Sequence, residues 1–189
     1  MTDFALHTAD TAPEASKPLL AKSQAAFGMI PNLHAVMAEA PGLLEGYQQL
    51  HQHFLDSSLN ATEKTVVWQT INVEHNCHYC VPAHTAIAHG MKVDPEVIEA
   101  LRNETPLANP RLQALRTFTL AMLRGRGEVA EKDLQAFLDA GFTRRQVLEV
   151  VLALAQKVMS NYTNHLAETP VDAPFAKFAW TRAREVELV

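Results

Sequence analysis

Apolar residues recur along this chain at the spacing of helices, and proline, glycine and capping residues separate one apolar segment from the next. A clear example follows Pro41, because proline suits the first turn of a helix and the residues after it form one apolar face. The apolar positions on this face are Leu43, Leu44, Tyr47, Leu50 and Phe54. No stretch shows the alternation of apolar and polar residues that is typical of half-buried β-strands. The pattern therefore predicts an all-α protein.

A second segment is predicted to form the central, buried helix of the fold. Asn60 can cap its N-terminus, and Glu63, three residues later, completes the pattern of a capping box. The residues that follow are apolar on nearly every side of the helix: Val66, Val67, Trp68, Ile71 and Val73. A short helix with this pattern is expected to be buried on all sides.

The same start and stop signals predict the remaining helices. One helix is expected over 18–27, and the next begins after a cap at Asn32. Two more run from the region of the two cysteines to about His89 and from Asp94-Pro95 to about Asn103. The last three are expected over 111–123, over 131–138 and from a cap at Thr143 to about 167. Pro170 and Pro174 then precede a final turn. We interpret residues 1–17 as a loose N-terminal arm and residues 18–189 as a single compact helical domain.

Composition narrows the class of protein. The chain has 189 residues, 48 % of them hydrophobic, which is enough for one domain with a core. Its net charge is -5 with acids and bases interspersed, so no basic surface for nucleic acid is indicated. No membrane span or signal pattern occurs, and we expect a cytoplasmic protein. In that compartment two cysteines indicate redox chemistry or a metal site rather than a structural disulfide; no cofactor is expected.

The candidate chemistry lies between Glu74 and His84. Cys77 and Cys80 are two residues apart, and His84 follows Cys80 by four residues, which places the two side chains on one face of a helix. A histidine within reach of a thiol can accept its proton, and the thiolate is the nucleophilic form. The N-terminus of a helix stabilises that thiolate further, and Pro82 places a first helical turn here.

Two backbone geometries are compatible with this stretch. In one, a new helix begins near 76–79, Asn76 caps it, and Glu74 ends the preceding helix. In the other, a single kinked helix runs over 61–89 and brings Glu74, Cys77, Cys80 and His84 towards one side, at about 100° per residue.

The hypothesis for this site is a redox pair with a proton relay. Glu74 and His84 form the relay, Cys80 is the attacking thiolate, and Cys77 resolves the resulting sulfenic acid into a disulfide that an external dithiol reduces. In the simpler interpretation Glu74 is a surface or capping carboxylate and His84 only packs. A zinc site would need Cys77, Cys80 and His84 with His75, Glu74 or His165, although structural zinc sites usually have a second cysteine pair.

At this point the chain resembles a known family, the alkyl hydroperoxidase D / carboxymuconolactone decarboxylase family. The resemblance covers about residues 25–180. It is carried by three segments: Glu74-x-x-Cys77-x-x-Cys80-x-x-x-His84; Gly28-Met29-Ile30-Pro31-Asn32 followed by Ala40-Pro41; and Asn161-Tyr162-Thr163-Asn164-His165 followed by Thr169-Pro170-Val171-Asp172. The last two resemble the longer, peroxidase-related members of the family.

The resemblance implies a helical homo-oligomer, commonly a trimer or hexamer, with a peroxidase-type thiol site that acts on a small hydroperoxide. The reductant is a dithiol partner, in some members a lipoyl-bearing protein. By position, Cys80 is the peroxidatic cysteine, Cys77 the resolving cysteine and His84 the relay histidine. Two positions depart from the founding members. Thr65 stands where their relay glutamate lies, so Glu74 or Glu63 would replace it, and Tyr79 stands where they have histidine.

Other roles remain open at the level of sequence. A lyase acting on a lactone acid, the family's other namesake, would need a base and a cation but not two cysteines. A non-catalytic redox sensor would form the disulfide without turnover. In the second half, Asn161, Asn164 and His165 could line the same pocket, but we expect the asparagines to bond the backbone and His165 to be buried. Glu149 is a buried carboxylate without an evident partner.

Overall fold

The computed structural model describes residues 4–182. Within these residues the chain forms nine α-helices, two short 3₁₀ helices and no β-strand, which confirms the all-α prediction. The α-helices are α1 (Lys17–Phe27), α2 (Asn32–Met37), α3 (Pro41–Leu55), α4 (Ala61–Glu74), α5 (Cys80–Gly90), α6 (Pro95–Arg102), α7 (Pro110–Arg124), α8 (Glu131–Asp139) and α9 (Arg144–Ala167). The 3₁₀ helices are Glu14–Ser16 and Ala173–Phe178.

Side-chain caps fix the starts of α4 and α9 where the sequence predicts them. The Asn60 side chain accepts a hydrogen bond from the Glu63 backbone N–H, and the Glu63 carboxylate accepts one from the Asn60 backbone N–H. Thr143 and Gln146 form the same reciprocal arrangement at the start of α9. The prediction for Asn32 is wrong, because Asn32 is the first residue of α2 and not its cap.

Helix α4 is the centre of the fold. Every residue from Thr65 to Val73 is buried, as the sequence predicts, and α4 packs against α5, α6, α7 and α9. Trp68 donates a hydrogen bond from its indole Nε1 to Gln156 Oε1 on α9 at 2.8 Å, which satisfies both buried polar groups. The helix on which the cysteine segment depends is therefore held from several sides.

The break between α4 and α5 determines how the two cysteines are presented. Asn76 has a left-handed backbone, with φ of 54°, and its N–H donates to Val73 O at 3.0 Å. The Cys77 N–H donates to Asn72 O, also at 3.0 Å, which completes a Schellman motif at the end of α4. One continuous kinked helix over 61–89 is therefore wrong. Asn76 ends α4 and does not cap α5.

The two ends of the described chain pack against the helices. Ser16 donates to Ala38 O at 2.6 Å, and His7 N–H to Ala35 O at 3.3 Å, so the described part of the arm contacts α2 and the expectation of a loose arm is wrong there. Near the C-terminus, Trp180 Nε1 donates to Arg102 O at 2.9 Å. Residues 1–3 of the predicted arm and 183–189 of the predicted domain lie outside the described residues. Over the described range, no helix combines the length and apolar content needed to cross a membrane.

Candidate active site

Cys80 is the first residue of α5 and lies in a buried, polar setting. Its Sγ accepts a hydrogen bond from Asn164 Nδ2 at 3.2 Å, and Ser160 Oγ lies 3.9 Å away. Burial opposes ionisation, but a hydrogen bond from the Cys77 thiol, the positive charge of Lys157 and these two α9 side chains outweigh it. Together they lower the pKa of Cys80 to about 5. This lowered pKa favours the thiolate form of Cys80 at neutral pH.

Cys77 is also buried, but the pKa of its thiol shifts in the opposite direction. Its hydrogen bond to the Cys80 sulfur, followed by burial, raises the pKa of Cys77 well above the ordinary thiol value. The Cys80 backbone N–H donates to Cys77 Sγ at 3.3 Å, which holds the two residues together at the start of α5. Both cysteines are free in this structure. Of these two thiols in contact, Cys80 is therefore the more acidic and Cys77 the less acidic.

His84 forms a buried pair with a residue that sequence reasoning did not identify, Lys157 of α9. The Lys157 Nζ lies 3.0 Å from His84 Nε2, and both side chains are buried. An ammonium group only donates, so Nε2 accepts and the ring proton is on Nδ1. Among the described residues this Nδ1 has no hydrogen-bond partner. Burial first, and then the charge of Lys157, lower the pKa of His84 well below its usual range, so its imidazole is neutral.

The sequence contains one signal for Lys157. From Gln146 to Ala167 it is the only lysine or arginine, and it stands in a helix that the pattern predicts to be apolar. A lysine buried in such a helix needs a partner, because an isolated buried charge is strongly unfavourable. Its partner, His84, lies 73 positions away, and no local spacing links the two.

An apolar cavity of about 310 Å³ opens onto this group. Cys80, His84 and Lys157 all line it. Most of the remaining wall is apolar or aromatic: Phe27, Met29, Pro31, Leu33, Tyr47, Tyr79, Ala83, Ala86, Ile87, Pro174 and Phe175. Its two other imidazoles, His34 and His51, are neutral, because burial lowers the pKa of each to about 4. Among the described residues that line the cavity, Lys157 is thus the one with a cationic side chain.

The structure does not bring Glu74 together with the cysteines. The Glu74 carboxylate pairs with Arg124, whose Nε and Nη2 donate at 2.7 and 2.8 Å, and Arg182 lies 3.5 Å away. The hydrogen bonds from Arg124 are the main reason that the pKa of Glu74 is lowered. The Schellman turn at Asn76 separates the end of α4 from the start of α5, and the side chain that meets His84 is Lys157.

The other carboxylate considered, Glu63, is occupied at the N-terminus of α4. It closes the capping box with Asn60 and accepts a hydrogen bond from Arg111 Nη2 at 2.9 Å. Thr65, at the position of the family's relay glutamate, donates its hydroxyl to Ala61 O. Glu149, which had no partner in the sequence analysis, accepts from Ser58 and Arg145.

Residues of α9 complete the site from the opposite side. Asn164 donates to the Cys80 sulfur, and Asn161 donates to Asn72 Oδ1 at 3.1 Å while accepting from His75 at 2.8 Å. The expectation that these asparagines bond the backbone is therefore wrong. The expectation of a buried His165 is also wrong, because His165 is exposed.

Cys77 lines a different cavity, of about 470 Å³, on the polar side of the cysteine segment. The residues around this cavity are His75, Asn76, Cys77, His78, Tyr79, Asn164, His165, Glu168 and Thr169. Among the described residues, Tyr79 alone lines both this polar cavity and the apolar cavity. The two cysteines therefore line separate cavities.

The zinc alternative needs Cys77, Cys80 and His84 around one ion. In the structure His84 Nε2 faces the amino group of Lys157, which is itself a cation. Within residues 4–182, no group of three or more histidine, cysteine, aspartate or glutamate side chains has the arrangement of a metal site.

The three sequence segments that carry the family resemblance meet next to the cysteines. Asp172 accepts from the Tyr79 hydroxyl at 2.5 Å and from the Asn32 backbone N–H at 3.0 Å. Asn32 also donates its side-chain amide to Pro170 O, and the Leu33 N–H donates to the Tyr79 oxygen. Burial and the bond to Asp172 raise the pKa of Tyr79, so the phenol stays protonated. Tyr79 is thus the link between the cysteine segment and both flanking motifs.

Comparisons with known proteins identify other proteins with a similar sequence or fold. Residues 41–119 match the sequence model of the carboxymuconolactone decarboxylase family. A similar structure is the alkylhydroperoxidase AhpD core of an uncharacterized peroxidase-related protein from Ralstonia eutropha JMP134 (TM-score 0.80, 21 % identity, 93 % of this chain and 96 % of that one). Another is an uncharacterized peroxidase-related protein from Silicibacter sp. TM1040 (TM-score 0.76, 22 % identity, 93 % and 95 % covered).

A third similar structure is the debrominase Bmp8, in a cysteine-to-alanine variant bound to 2,3,4-tribromopyrrole (TM-score 0.76, 16 % identity, 94 % of this chain and 95 % of that one). At these identities the likeness concerns the fold. No curated protein sequence matched the chain.

Proposed function

We propose that this chain, whose residues 41–119 match the sequence model of the carboxymuconolactone decarboxylase family, is a thiol-dependent peroxidase for organic hydroperoxides. One observation carries the proposal. Cys80, with its pKa lowered to about 5, lines an apolar cavity and has a second thiol in contact with it. A nucleophile, a substrate space and a resolving group are therefore adjacent.

In the first step, the Cys80 thiolate attacks the outer oxygen of the hydroperoxide. The O–O bond breaks, an S–O bond forms, and the sulfur becomes a sulfenic acid while the substrate leaves as an alkoxide. The apolar walls suit a hydroperoxide with a hydrocarbon body, such as that formed from a lipid or an alkyl aromatic. The positive charge of Lys157 attracts the negative charge that develops on the leaving oxygen.

The leaving alkoxide needs a proton, and the Lys157–His84 pair can supply one. His84 Nδ1 carries a proton and has no partner in the described structure, while Nε2 faces the Lys157 ammonium at 3.0 Å. Donation from Nδ1 to the alkoxide and transfer from Lys157 Nζ to Nε2 would leave a neutral imidazole and a neutral amine. In this proposal Lys157 takes the place that the sequence analysis gave to Glu74.

In the second step, the Cys77 thiol attacks the sulfenic acid on Cys80. An S–S bond forms, the S–O bond breaks, and the hydroxyl leaves as water with the proton of Cys77. Two electrons have then passed from the thiol pair to the peroxide. An external dithiol must reduce the Cys77–Cys80 disulfide before the next turnover.

The test is peroxide consumption in the presence of dithiothreitol, with cumene hydroperoxide as the substrate. We expect turnover to be lost in Cys80→Ser and in Cys77→Ser, and to fall at least tenfold in His84→Ala and Lys157→Met. His53→Ala, an exposed histidine on α3, is the matched control and should keep wild-type activity. Retained turnover in Cys80→Ser would sink the proposal. A disulfide that forms once without turnover would indicate a redox sensor.

A second candidate, reductive dehalogenation, is favoured by one observation. The similar debrominase binds a brominated pyrrole, and the apolar cavity of this chain has aromatic and apolar walls beside a thiol pair. The reaction balances, since an aryl bromide and two thiols give the arene, a disulfide and hydrogen bromide. Incubation with brominated pyrroles and dithiothreitol distinguishes the two functions, because only dehalogenation releases bromide.

The lyase alternative has less support in the cavity. A lactone acid needs a cation for its carboxylate, which Lys157 could provide, but the reaction makes no use of the thiol pair. Turnover of such a substrate that is unaffected by Cys77→Ser and Cys80→Ser would favour it.

We also propose that the protein is a homo-oligomer, as the family resemblance implies. Exposed apolar side chains follow one face of α9: Leu148, Val151, Tyr162 and Leu166, which are 68 %, 44 %, 53 % and 74 % exposed. At 100° per residue these positions lie within one narrow stripe of the helix. An apolar stripe of this kind is typical of a surface that a second copy of the chain covers.

A further inference from the structure

The two cysteines of the redox pair line different cavities. Cys80 lines the apolar cavity with His84 and Lys157, whereas Cys77 lines the polar cavity on the other side of the segment. Tyr79 stands between the two cavities and is held in place by Asp172. An oxidised pair would therefore present one sulfur to each opening.

The polar cavity has the features of a binding site that is not filled by the chain itself. Two of its lining side chains, Asn164 and Thr169, are more than nine-tenths buried. The Asn164 Oδ1 and Thr169 Oγ1 atoms have no hydrogen-bond partner among the described residues. Buried polar atoms without a partner are unfavourable unless a ligand or water bonds them. Both can bond the polar groups of a molecule that enters this cavity.

The chemistry of disulfide reduction also distinguishes the two sulfurs. A thiolate attacks one sulfur and expels the other, and exchange is faster when the expelled thiol is the more acidic one. Attack on Cys77 expels Cys80, whose thiolate is stabilised by Asn164 and Lys157. Attack on Cys80 would instead expel Cys77, whose pKa is raised. Reduction through Cys77 is the favoured direction.

The surroundings of Cys77 also restrict the shape of the reductant. Cys77 is 0 % exposed and lines a cavity of about 470 Å³. We therefore expect a thiol on a slim molecule to reach Cys77 more readily than a cysteine on the surface of a folded protein. The histidines around the cavity, His75, His78 and His165, offer a base for the proton of the incoming thiol.

We propose that the polar cavity is the reductant site of this protein: a slim dithiol enters beside His165 and Thr169 and attacks Cys77, while substrate meets Cys80 in the apolar cavity. The first thiol forms a mixed disulfide with Cys77 and releases Cys80 as a thiolate. The second thiol of the reductant then attacks its own sulfur in that mixed disulfide, releasing Cys77 and leaving as a cyclic disulfide. The inference rests on the Cys77–Cys80 disulfide of the proposed function.

The direct test identifies the sulfur that the reductant attacks. The protein is oxidised with diamide, so that the disulfide forms without any peroxide, and is then treated briefly with the monothiol 2-mercaptoethanol. After acid quenching and alkylation, peptide fragmentation locates the mercaptoethanol adduct. We expect it on Cys77 in at least ten molecules for each one on Cys80. A majority on Cys80 would overturn the inference, whereas failure of diamide to form the disulfide would count against the proposed function itself.

A second measurement tests the entrance with a matched pair of variants. His165→Trp places a large side chain at the polar cavity, and Ala86→Trp places the same side chain at the apolar cavity. We expect His165→Trp to slow reduction of the diamide-formed disulfide by dithiothreitol at least fivefold, and Ala86→Trp to leave that rate unchanged. For oxidation by cumene hydroperoxide we expect the reverse: Ala86→Trp slows the reaction at least fivefold, and His165→Trp leaves its rate unchanged. Slower reduction in Ala86→Trp alone, or in neither variant, would overturn the assignment.

Discussion

At the scale of single residues, the Cys80 sulfur and the Lys157 amino group form the chemical pair on which the proposed reaction depends. The two groups are buried and line the same cavity, so their opposite charges attract each other with little screening by water. This attraction favours the thiolate before any substrate arrives. This leaves His84 free to protonate the leaving oxygen, with no need to take a proton from Cys80.

The first prediction concerns the pH dependence of Cys80. Its pKa is lowered to about 5, so the thiolate is present at neutral pH and is lost as the pH falls through about 5. We expect alkylation of Cys80 by iodoacetamide to be nearly constant from pH 6 to pH 8, and to decrease about tenfold per pH unit well below 5. An ordinary thiol would instead become steadily more reactive up to about pH 8.5.

Replacement of Lys157 should change that profile. Lys157→Met keeps most of the side-chain length but removes the charge, so the pKa of Cys80 should rise and alkylation at pH 6 should fall by roughly tenfold. Peptide mapping separates the Cys80 and Cys77 adducts. Lys132→Met, an exposed lysine on α8, serves as the control. An unchanged profile in Lys157→Met would mean that the lysine does not stabilise the thiolate.

Replacement of Glu74, unlike that of Lys157, should have little effect on the reaction. Its carboxylate is bound to Arg124 and does not meet His84, so Glu74→Gln should keep peroxidase activity within about twofold of wild type. Because the ion pair is partly exposed, its loss should change the free energy of unfolding by no more than about 1 kcal/mol. A large loss of activity with an intact fold would restore Glu74 to the relay.

At the scale of helices and turns, the sequence shows clearly where elements begin and end but not how side chains from distant elements meet. The capping boxes at Asn60 and Thr143 are local, so three or four residues are enough to predict them. The spacing of Cys80 and His84 predicts a shared face, and both line one cavity. Glu74 was misplaced because a Schellman turn, which depends on the left-handed Asn76, interrupts the helical spacing between it and the cysteines.

The contacts that complete the site are long-range, and no local pattern specifies them. Lys157, Ser160 and Asn164 come from α9, about 80 positions after Cys80. Their spacing on one helix face is readable in the sequence, because they lie three and four residues apart. What the sequence alone does not show is that this face of α9 packs against the N-terminus of α5.

The junction of Tyr79 and Asp172 supports a prediction about stability. Tyr79→Phe removes the hydroxyl that donates to Asp172 and accepts from the Leu33 N–H, leaving buried polar atoms without partners. We expect a loss of about 1–3 kcal/mol in the free energy of unfolding, measured with urea. Tyr162→Phe, at an exposed tyrosine on α9, should have almost no effect. Equal stability of Tyr79→Phe and wild type would show that the junction does not hold the segments together.

At the scale of the whole molecule, α9 has two distinct roles on its two sides. One side contributes Lys157 and Asn164 to the buried site, and the other carries the exposed apolar stripe that includes Leu148 and Leu166. Assembly through that stripe would place a subunit contact on the helix that holds the thiolate. Oligomerisation and catalysis would then depend on the same helix.

The exposed apolar stripe on α9 predicts that a charged substitution there changes the assembly of the protein. Leu166→Glu introduces a charge at its most exposed position and should shift the protein to a smaller species, measured by size-exclusion chromatography with light scattering. Leu6→Glu, an exposed leucine in the N-terminal arm, is the control and should keep the wild-type mass. A monomeric wild type would contradict the expected homo-oligomer.

The central claim, that Cys80 reduces an organic hydroperoxide with electrons from the thiol pair, is tested most directly by a single turnover without reductant. Fully reduced protein, freed of small thiols, is mixed with one equivalent of cumene hydroperoxide, and both cumyl alcohol and the Cys77–Cys80 disulfide are quantified. The proposed mechanism predicts one alcohol for each disulfide, and no accelerated alcohol formation in Cys80→Ser. Formation of the alcohol at the wild-type rate in Cys80→Ser, or of the disulfide without alcohol, would contradict it.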